Sequence, residues 1–130
     1  MVGWGTGSFE NDYAADWLAK LATIAPDDLT QIFVQAADNP GYLEAPAAGV
    51  VVAAAEAIAA LKGSPAKGVP PEIIKWTTNR PASTPELIAL ALRALERVRR
   101  DSELKDLWLE ADGLNDWIAA LQDLQTRVGG

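Results

Sequence analysis

Residues 45–61 read APAAGVVVAAAEAIAAL, and this stretch decides the fold. Glu56 is the only charged residue within it, and alanine, valine and glycine leave it almost no polar face. A helix that is apolar nearly all round is usually buried on most sides. We therefore predict a central helix that begins near Ala45, carries Pro46 in its first turn and ends before Gly63.

Proline, glycine and small polar residues divide the remaining chain into further helical lengths. Apolar residues recur at helical spacing over residues 12–24, 26–38, 72–76, 84–100, 103–112 and 114–127. No stretch shows the period-two alternation that is typical of a half-buried strand. We therefore predict an all-α fold, a compact single-domain bundle of about six to seven helices around the alanine-rich central helix, over residues 1–130.

Three side chains stand where a helix N-cap is expected. Asn11 precedes the first predicted helix, Ser83 precedes the fifth and Ser102 precedes the sixth. The side-chain oxygens of asparagine and serine accept hydrogen bonds from the free N–H groups of a first helical turn. Ser83 is also followed by Glu86 at the spacing of a capping box.

The composition excludes several classes of function. The 130 residues include no cysteine and no histidine, which excludes disulfides, thiolate zinc sites and catalytic groups built on imidazole. The net charge is −7, and residues 101–130 carry seven acids and two bases, a net −5. We therefore expect no binding to nucleic acid, whose phosphates would be repelled. Without a long apolar run or a visible leader, we expect a cytoplasmic protein that does not enter membranes.

The opening segment is rich in glycine and aromatic residues. Residues 3–12 read GWGTGSFEND, with glycine at positions 3, 5 and 7. Alternating glycines can cradle a phosphate, but no strand precedes them, no lysine follows as in a P-loop, and the acids that follow would repel an anion. We expect residues 1–10 to form a tight loop packed on the bundle, with Trp4 and Phe9 buried.

Glu56 is a candidate for chemistry because it lies midway along the most apolar segment. A buried carboxylate must be paired, hydrogen-bonded or protonated. One interpretation is an acid–base group or a metal ligand. The other is a structural carboxylate that accepts from a tryptophan N–H, a backbone N–H or an arginine. The surrounding alanines fit either interpretation, and we favour the structural one.

A second group of acids follows Ser102. Glu103, Asp106 and Glu110 fall on one face of the predicted sixth helix, whose apolar side includes Trp108. Such a face either binds a hard cation or is solvated. Dimetal carboxylate sites normally add histidine, which this chain lacks, so we expect a solvated face and neither a metal nor a cofactor.

Residues 4–12, WGTGSFEND, together with Asp16-Trp17, resemble the opening of a bacterial family known only as a domain of unknown function. The likeness continues through the segments AAAE at 53–56 and SEL at 102–104 to Arg127, and so spans nearly the whole chain. The resemblance implies a bacterial, cytoplasmic, helical protein and no particular activity. It also implies that one constellation contains Glu10, Asn11, Asp12, Asp16, Glu56, Glu103 and Trp108.

The sequence carries no catalytic signature, and we assign no catalytic or metal-binding residue. We favour a non-catalytic module that binds another protein. Its specific form is an immunity-type or inhibitor protein that neutralises a basic partner, because such inhibitors are often small, acidic and helical. The alternative is a small carboxylate-based enzyme or divalent-metal-binding protein that uses Glu56 with Asp12, Asp16 or Glu103. The sequence leaves the partner and the oligomeric state open.

Overall fold

The computed structural model describes residues 5–129, which form seven α-helices, one 3₁₀ turn and no β-strand. The helices are α1 (Asp12–Leu18), α2 (Pro26–Ala37), α3 (Ala45–Leu61), α4 (Pro71–Thr77), α5 (Pro85–Arg100), α6 (Glu103–Glu110) and α7 (Leu114–Gly129). The 3₁₀ turn, Leu21–Thr23, lies between α1 and α2. The predicted all-α fold is confirmed. None of the helices in this range combines the length and the apolar character that crossing a membrane requires.

α3 is the centre of the bundle, as predicted. It contacts each of the other six helices, and every residue from Val51 to Ala59 is buried. Because most of its side chains are alanine, its neighbours approach closely. At Gly49, an added Cβ would lie only 3.1 Å from the Cβ of Tyr13 on α1. The small residues of α3 are therefore a requirement of the packing around it.

The other helices form a shell around α3. α2 packs against α5, α5 packs against α7, and α6 packs against both α5 and α7. α4 lies against α3 and the 3₁₀ turn. Four tryptophans of this shell are buried: Trp17, Trp76, Trp108 and Trp117. Phe9 is half-buried against the core, so its predicted burial is only partly met, and Trp4 lies outside the described residues.

The first helix is shorter than predicted. α1 ends at Leu18 instead of near Ile24. After it, the Lys20 N–H donates to the Trp17 carbonyl at 2.9 Å, and this bond across three residues closes a tighter turn than an α-helix has. The backbone at Ile24 is extended, and its carbonyl accepts a hydrogen bond of 2.7 Å from Trp76 Nε1. The apolar pattern of residues 12–24 does not reveal this tertiary contact with α4. For that reason the helix predicted from the pattern was too long.

Two of the three predicted N-caps are confirmed. Asn11 Oδ1 accepts from the Ala14 N–H at 2.9 Å, and Ser102 Oγ accepts from the Lys105 N–H at 3.1 Å. Each satisfies one of the N–H groups that a helix start leaves without an internal partner.

The third predicted N-cap, Ser83, is wrong. Thr84 is the N-cap of α5, and its hydroxyl accepts from the Leu87 N–H at 3.2 Å. Pro85 is the first residue of the helix. Proline favours that position because its fixed φ suits the helix and it has no N–H to satisfy, so the residue before it becomes the cap.

A substitution at Gly113, between α6 and α7, tests how tightly the helices around α3 are packed. A Cβ at this position would lie 2.8 Å from Trp108 Cε3. We predict that Gly113→Ala lowers the free energy of unfolding by about 1–3 kcal/mol, because a buried ring has to move. Gly41→Ala is the control, since a Cβ there meets only Asn39 Oδ1 at an ordinary 3.6 Å. Urea unfolding measures both, and equal losses would contradict the prediction.

Candidate functional site

The glycine-rich opening segment folds around the carboxylate of Glu10. The Gly7 N–H donates to Glu10 Oε1 at 3.0 Å, and the Glu10 N–H donates to the Gly7 carbonyl at 3.1 Å. A Cβ at Gly5 or at Gly7 would overlap this carboxylate. The glycines therefore leave room for the loop's own acid, and the Gly7 N–H already has this carboxylate as its acceptor.

Glu56 is buried, and both oxygens of its carboxylate accept hydrogen bonds. Arg127 Nη1 donates to Oε1 at 2.7 Å, and Arg127 Nη2 donates to Oε2 at 3.0 Å. Ser8 Oγ also donates to Oε2, at 2.6 Å. Only 3% of the Glu56 side chain and 17% of the Arg127 side chain are exposed. The hydrogen bonds to Glu56 raise the pKa of Arg127 above its usual range, so the guanidinium stays charged.

Arg127 extends this contact to further segments of the chain. Its Nε donates to Asp123 Oδ2 at 2.8 Å, and its Nη1 donates to the Ser64 carbonyl at 3.3 Å. We name Ser8, Glu56, Ser64, Asp123 and Arg127 the Glu56 cluster. It joins the opening loop, α3, the segment after α3 and α7. Glu56 thus accepts from an arginine, as the structural interpretation of the sequence expected.

Glu103 lies at the N-terminus of α3. Its Oε1 accepts from the Ala45 N–H at 2.8 Å, and its own N–H donates to the Leu43 carbonyl at 2.8 Å. The first N–H groups of a helix have no internal partner, and here α6 supplies one. Glu56 lies eleven residues further along α3 than Ala45, roughly 16 Å at the helical rise per residue. Glu56 and Glu103 therefore form their hydrogen bonds at different positions along α3.

The remaining predicted site residues are divided between the loop and the surface. Asn11 and Trp108 line a small cavity of about 20 Å³, which Ser8 also lines. Asp12 and Asp16 are exposed on α1. The structure thus gathers Asn11, Trp108 and Ser8 beside the opening loop. Within residues 5–129, no group of three or more acidic, histidine or cysteine side chains is placed to hold a metal ion.

A different surface is formed by the exposed side of α6. Tyr42 and Leu109 are 52% and 58% exposed, and Asp106 and Glu110 are exposed beside them. The Tyr42 hydroxyl donates a short hydrogen bond to Asp106 Oδ2. Asp106, Leu109 and Glu110 share one side of the helix because they are three and four residues apart. We name Tyr42, Asp106, Leu109 and Glu110 the α6 face.

Comparison with known proteins places this helical bundle in a family. The model of the family described as "Domain of unknown function (DUF4259)" matches residues 3–120. The protein belongs to this family, and the resemblance to a domain of unknown function is confirmed. The match includes Ser8, Glu56 and Glu103 and ends before Arg127. Neither the curated proteins nor the solved structures gave a match.

Two residues that hold Glu56 were not among the predicted site residues. Arg127 follows Leu124 by three residues, at the edge of the buried stripe of α7, and Glu56 in an apolar helix needs a cation. That combination could have identified Arg127. Ser8 carried no comparable signal, because the path of a glycine-rich loop is not encoded in a periodic pattern.

The Glu56 cluster yields a prediction about stability. We predict that Arg127→Met lowers the free energy of unfolding by about 3–5 kcal/mol, because it leaves a buried carboxylate without its cation. The control is Asp123→Asn, which removes a carboxylate that is 68% exposed and should cost less than about 1 kcal/mol. Urea unfolding followed by circular dichroism measures both variants.

A double variant separates the lost pairing from lost packing. Glu56→Met combined with Arg127→Met is expected to recover much of the loss, since it buries no unpaired charge. A double variant no more stable than Arg127→Met alone would contradict this account of the cluster.

The α6 face yields a prediction about pH. The hydrogen bond to Asp106 raises the pKa of Tyr42 from 10.0 to about 12. Below pH 10 the phenol is protonated in both folded and unfolded chains, so its stabilising contribution is complete. Between about pH 10 and 12 only the unfolded phenol ionises, and the contribution is lost as pH rises.

Ultraviolet absorbance during an alkaline titration follows the ionisation of Tyr42. Asp106→Asn is expected to return its midpoint towards 10, and Tyr42→Phe identifies the transition by removing it. An unchanged midpoint in Asp106→Asn would contradict the prediction.

Proposed function

We propose that this protein is a non-catalytic module that binds another protein through the α6 face. One observation carries the proposal: of the three large apolar side chains that are exposed within residues 5–129, two belong to this face. They are Tyr42 and Leu109, and the acids Asp106 and Glu110 flank them. Apolar anchors within a polar rim are typical of protein-binding surfaces, where tyrosine is enriched among the residues that contribute most affinity.

The charge around the α6 face indicates the chemistry of the partner. Asp112 and Asp116 line a depression together with Leu109, just beyond the end of α6. They are two of the seven acids that give residues 101–130 their net charge of −5. A basic surface would be attracted to this region and oriented by it. An inhibitor or immunity-type protein that covers a basic partner is the specific form that we propose, in the bacterial, cytoplasmic setting that the sequence resemblance implies.

The alternative, a carboxylate-based enzyme or metal-binding protein, has less support. It needs Glu56 to be available to a substrate or cation, but both oxygens of Glu56 already accept from Arg127 and Ser8. It also needs a second carboxylate nearby, and Glu103 is bonded to the other end of α3. Both carboxylates fit structural roles better.

A matched pair of variants tests the proposed surface. Leu109→Arg places a cation at the centre of the α6 face, whereas Ile74→Arg places one at a side chain on α4 that is 46% exposed. With a saturable partner captured from the native host, Leu109→Arg is expected to weaken binding at least about tenfold, or roughly 1.4 kcal/mol. Ile74→Arg is expected to bind like the wild type.

Salt provides a second measurement of the same contact. Raising the ionic strength should slow association, because exposed acids that steer a basic partner are screened. For the purified pair, titration calorimetry measures the affinity and binding kinetics measure the association rate. Failure to recover any saturable partner, or equal effects of Leu109→Arg and Ile74→Arg, would refute the proposal.

A further inference from the structure

A wide cavity of about 590 Å³ opens between the end of α1, the 3₁₀ turn and α4. Small-molecule sites in proteins typically have volumes of about 300–1,000 Å³. The cavity shares no residue with the Glu56 cluster or with the α6 face. Its size and separate location make it a candidate for a second activity.

One part of the cavity wall is apolar. Leu18, Ala19 and Ala22 contribute aliphatic surface, and Trp76 contributes its indole. Trp76 is only 5% exposed, and its Nε1 donates to the Ile24 carbonyl at 2.7 Å. The ring is therefore held in one orientation, and its small exposed part borders the cavity.

A cation is fixed beside this apolar wall. The guanidinium carbon of Arg80 lies 4.8 Å from the centroid of the Trp76 ring, and Arg80 Nε donates to the Trp76 carbonyl at 2.6 Å. Asn79 makes this possible, because its φ of 62° turns the chain after α4 and returns Arg80 over the indole. Because this contact uses Nε, the two terminal amino groups of the guanidinium can donate a pair of hydrogen bonds to a carboxylate.

The cavity has a local charge opposite to that of the whole protein. Lys75 and Arg80 both line it, and within residues 5–129 neither forms an ion pair. Glu72 is the one acid in the lining, which leaves a net +1 from these three side chains. In a chain of net charge −7, two cations without acidic partners beside an apolar wall point to an anionic ligand.

We propose that this cavity binds a small organic anion with a flat apolar body, of the class of aromatic carboxylates. The aromatic body lies on the wall formed by Leu18, Ala19 and Ala22, beside Trp76. The carboxylate accepts from the terminal amino groups of Arg80 and is attracted by Lys75. This site does not depend on the α6 face, so neither activity requires the other.

The test uses naphthoate as the probe and naphthamide as its uncharged counterpart. Binding is followed through the indole N–H resonance of Trp76 in a proton–nitrogen correlation spectrum of the full chain. Naphthoate is expected to shift this resonance saturably and to bind at least about tenfold more tightly than naphthamide, because only the carboxylate gains charge-assisted hydrogen bonds.

Four variants assign the contacts. Arg80→Gln is expected to weaken naphthoate binding about tenfold and Lys75→Gln about threefold, while Lys67→Gln, an exposed lysine outside the cavity, changes it less than twofold. Glu72→Gln is expected to tighten binding about twofold, because it removes the one repulsive charge. Lys75 is exposed, so its variant keeps the test valid if Arg80→Gln fails to fold.

Three results would overturn the proposal. The first is the absence of a saturable Trp76 shift at millimolar naphthoate. The second is equal affinity for naphthoate and naphthamide, which would mean that the cations take no part. The third is a pattern in which Lys75→Gln and Lys67→Gln bind alike or Glu72→Gln fails to tighten binding.

Discussion

A helix that is enclosed on every side cannot leave a charge unpaired, and in this protein that constraint falls on Glu56. α3 touches all six other helices, and only 3% of the side chain of its single carboxylate is exposed. An isolated buried carboxylate would cost several kcal/mol, and Arg127 with Ser8 removes that cost. The pairing also sets the end of α7 and the opening loop against α3.

Most of the fold could be predicted from the sequence, because the apolar run at residues 45–61 has one stable environment in water. The predicted end of the first helix was wrong because of a tertiary contact. The predicted start of α5 was wrong because two local signals competed. Ile24 leaves the helix towards Trp76, a residue distant in sequence. At the start of α5, the capping-box spacing of Ser83 competed with Pro85, and the steric preference of proline determined the start.

The candidate site could be predicted only in part. Glu56 was identified because an acid stands out in an apolar helix, Glu103 because it shares a helical face with two further acids, and Asn11 because it precedes a helix start. Their partners were harder to identify, because a hydrogen bond between residues such as Ser8 and Glu56 depends on the path of a loop. The two cations of the cavity beside Trp76 had no sequence signal either. Lys75 and Arg80 are ordinary surface residues until the turn at Asn79 brings Arg80 over an indole.

The contacts that complete α3 also have an order in time. Glu56 and its partner Arg127 are 71 residues apart. Glu103, which accepts from the Ala45 N–H, is 58 residues later in the chain than Ala45. At roughly 5–20 residues per second, a ribosome makes α3 several seconds before it makes either partner. During that interval the most apolar segment of the chain has no cap and no counterion. Unpaired apolar segments of this kind are prone to aggregate, and chaperones exist to shield them. Glu103 and Arg127, which are synthesised after α3, therefore determine when α3 acquires these two contacts.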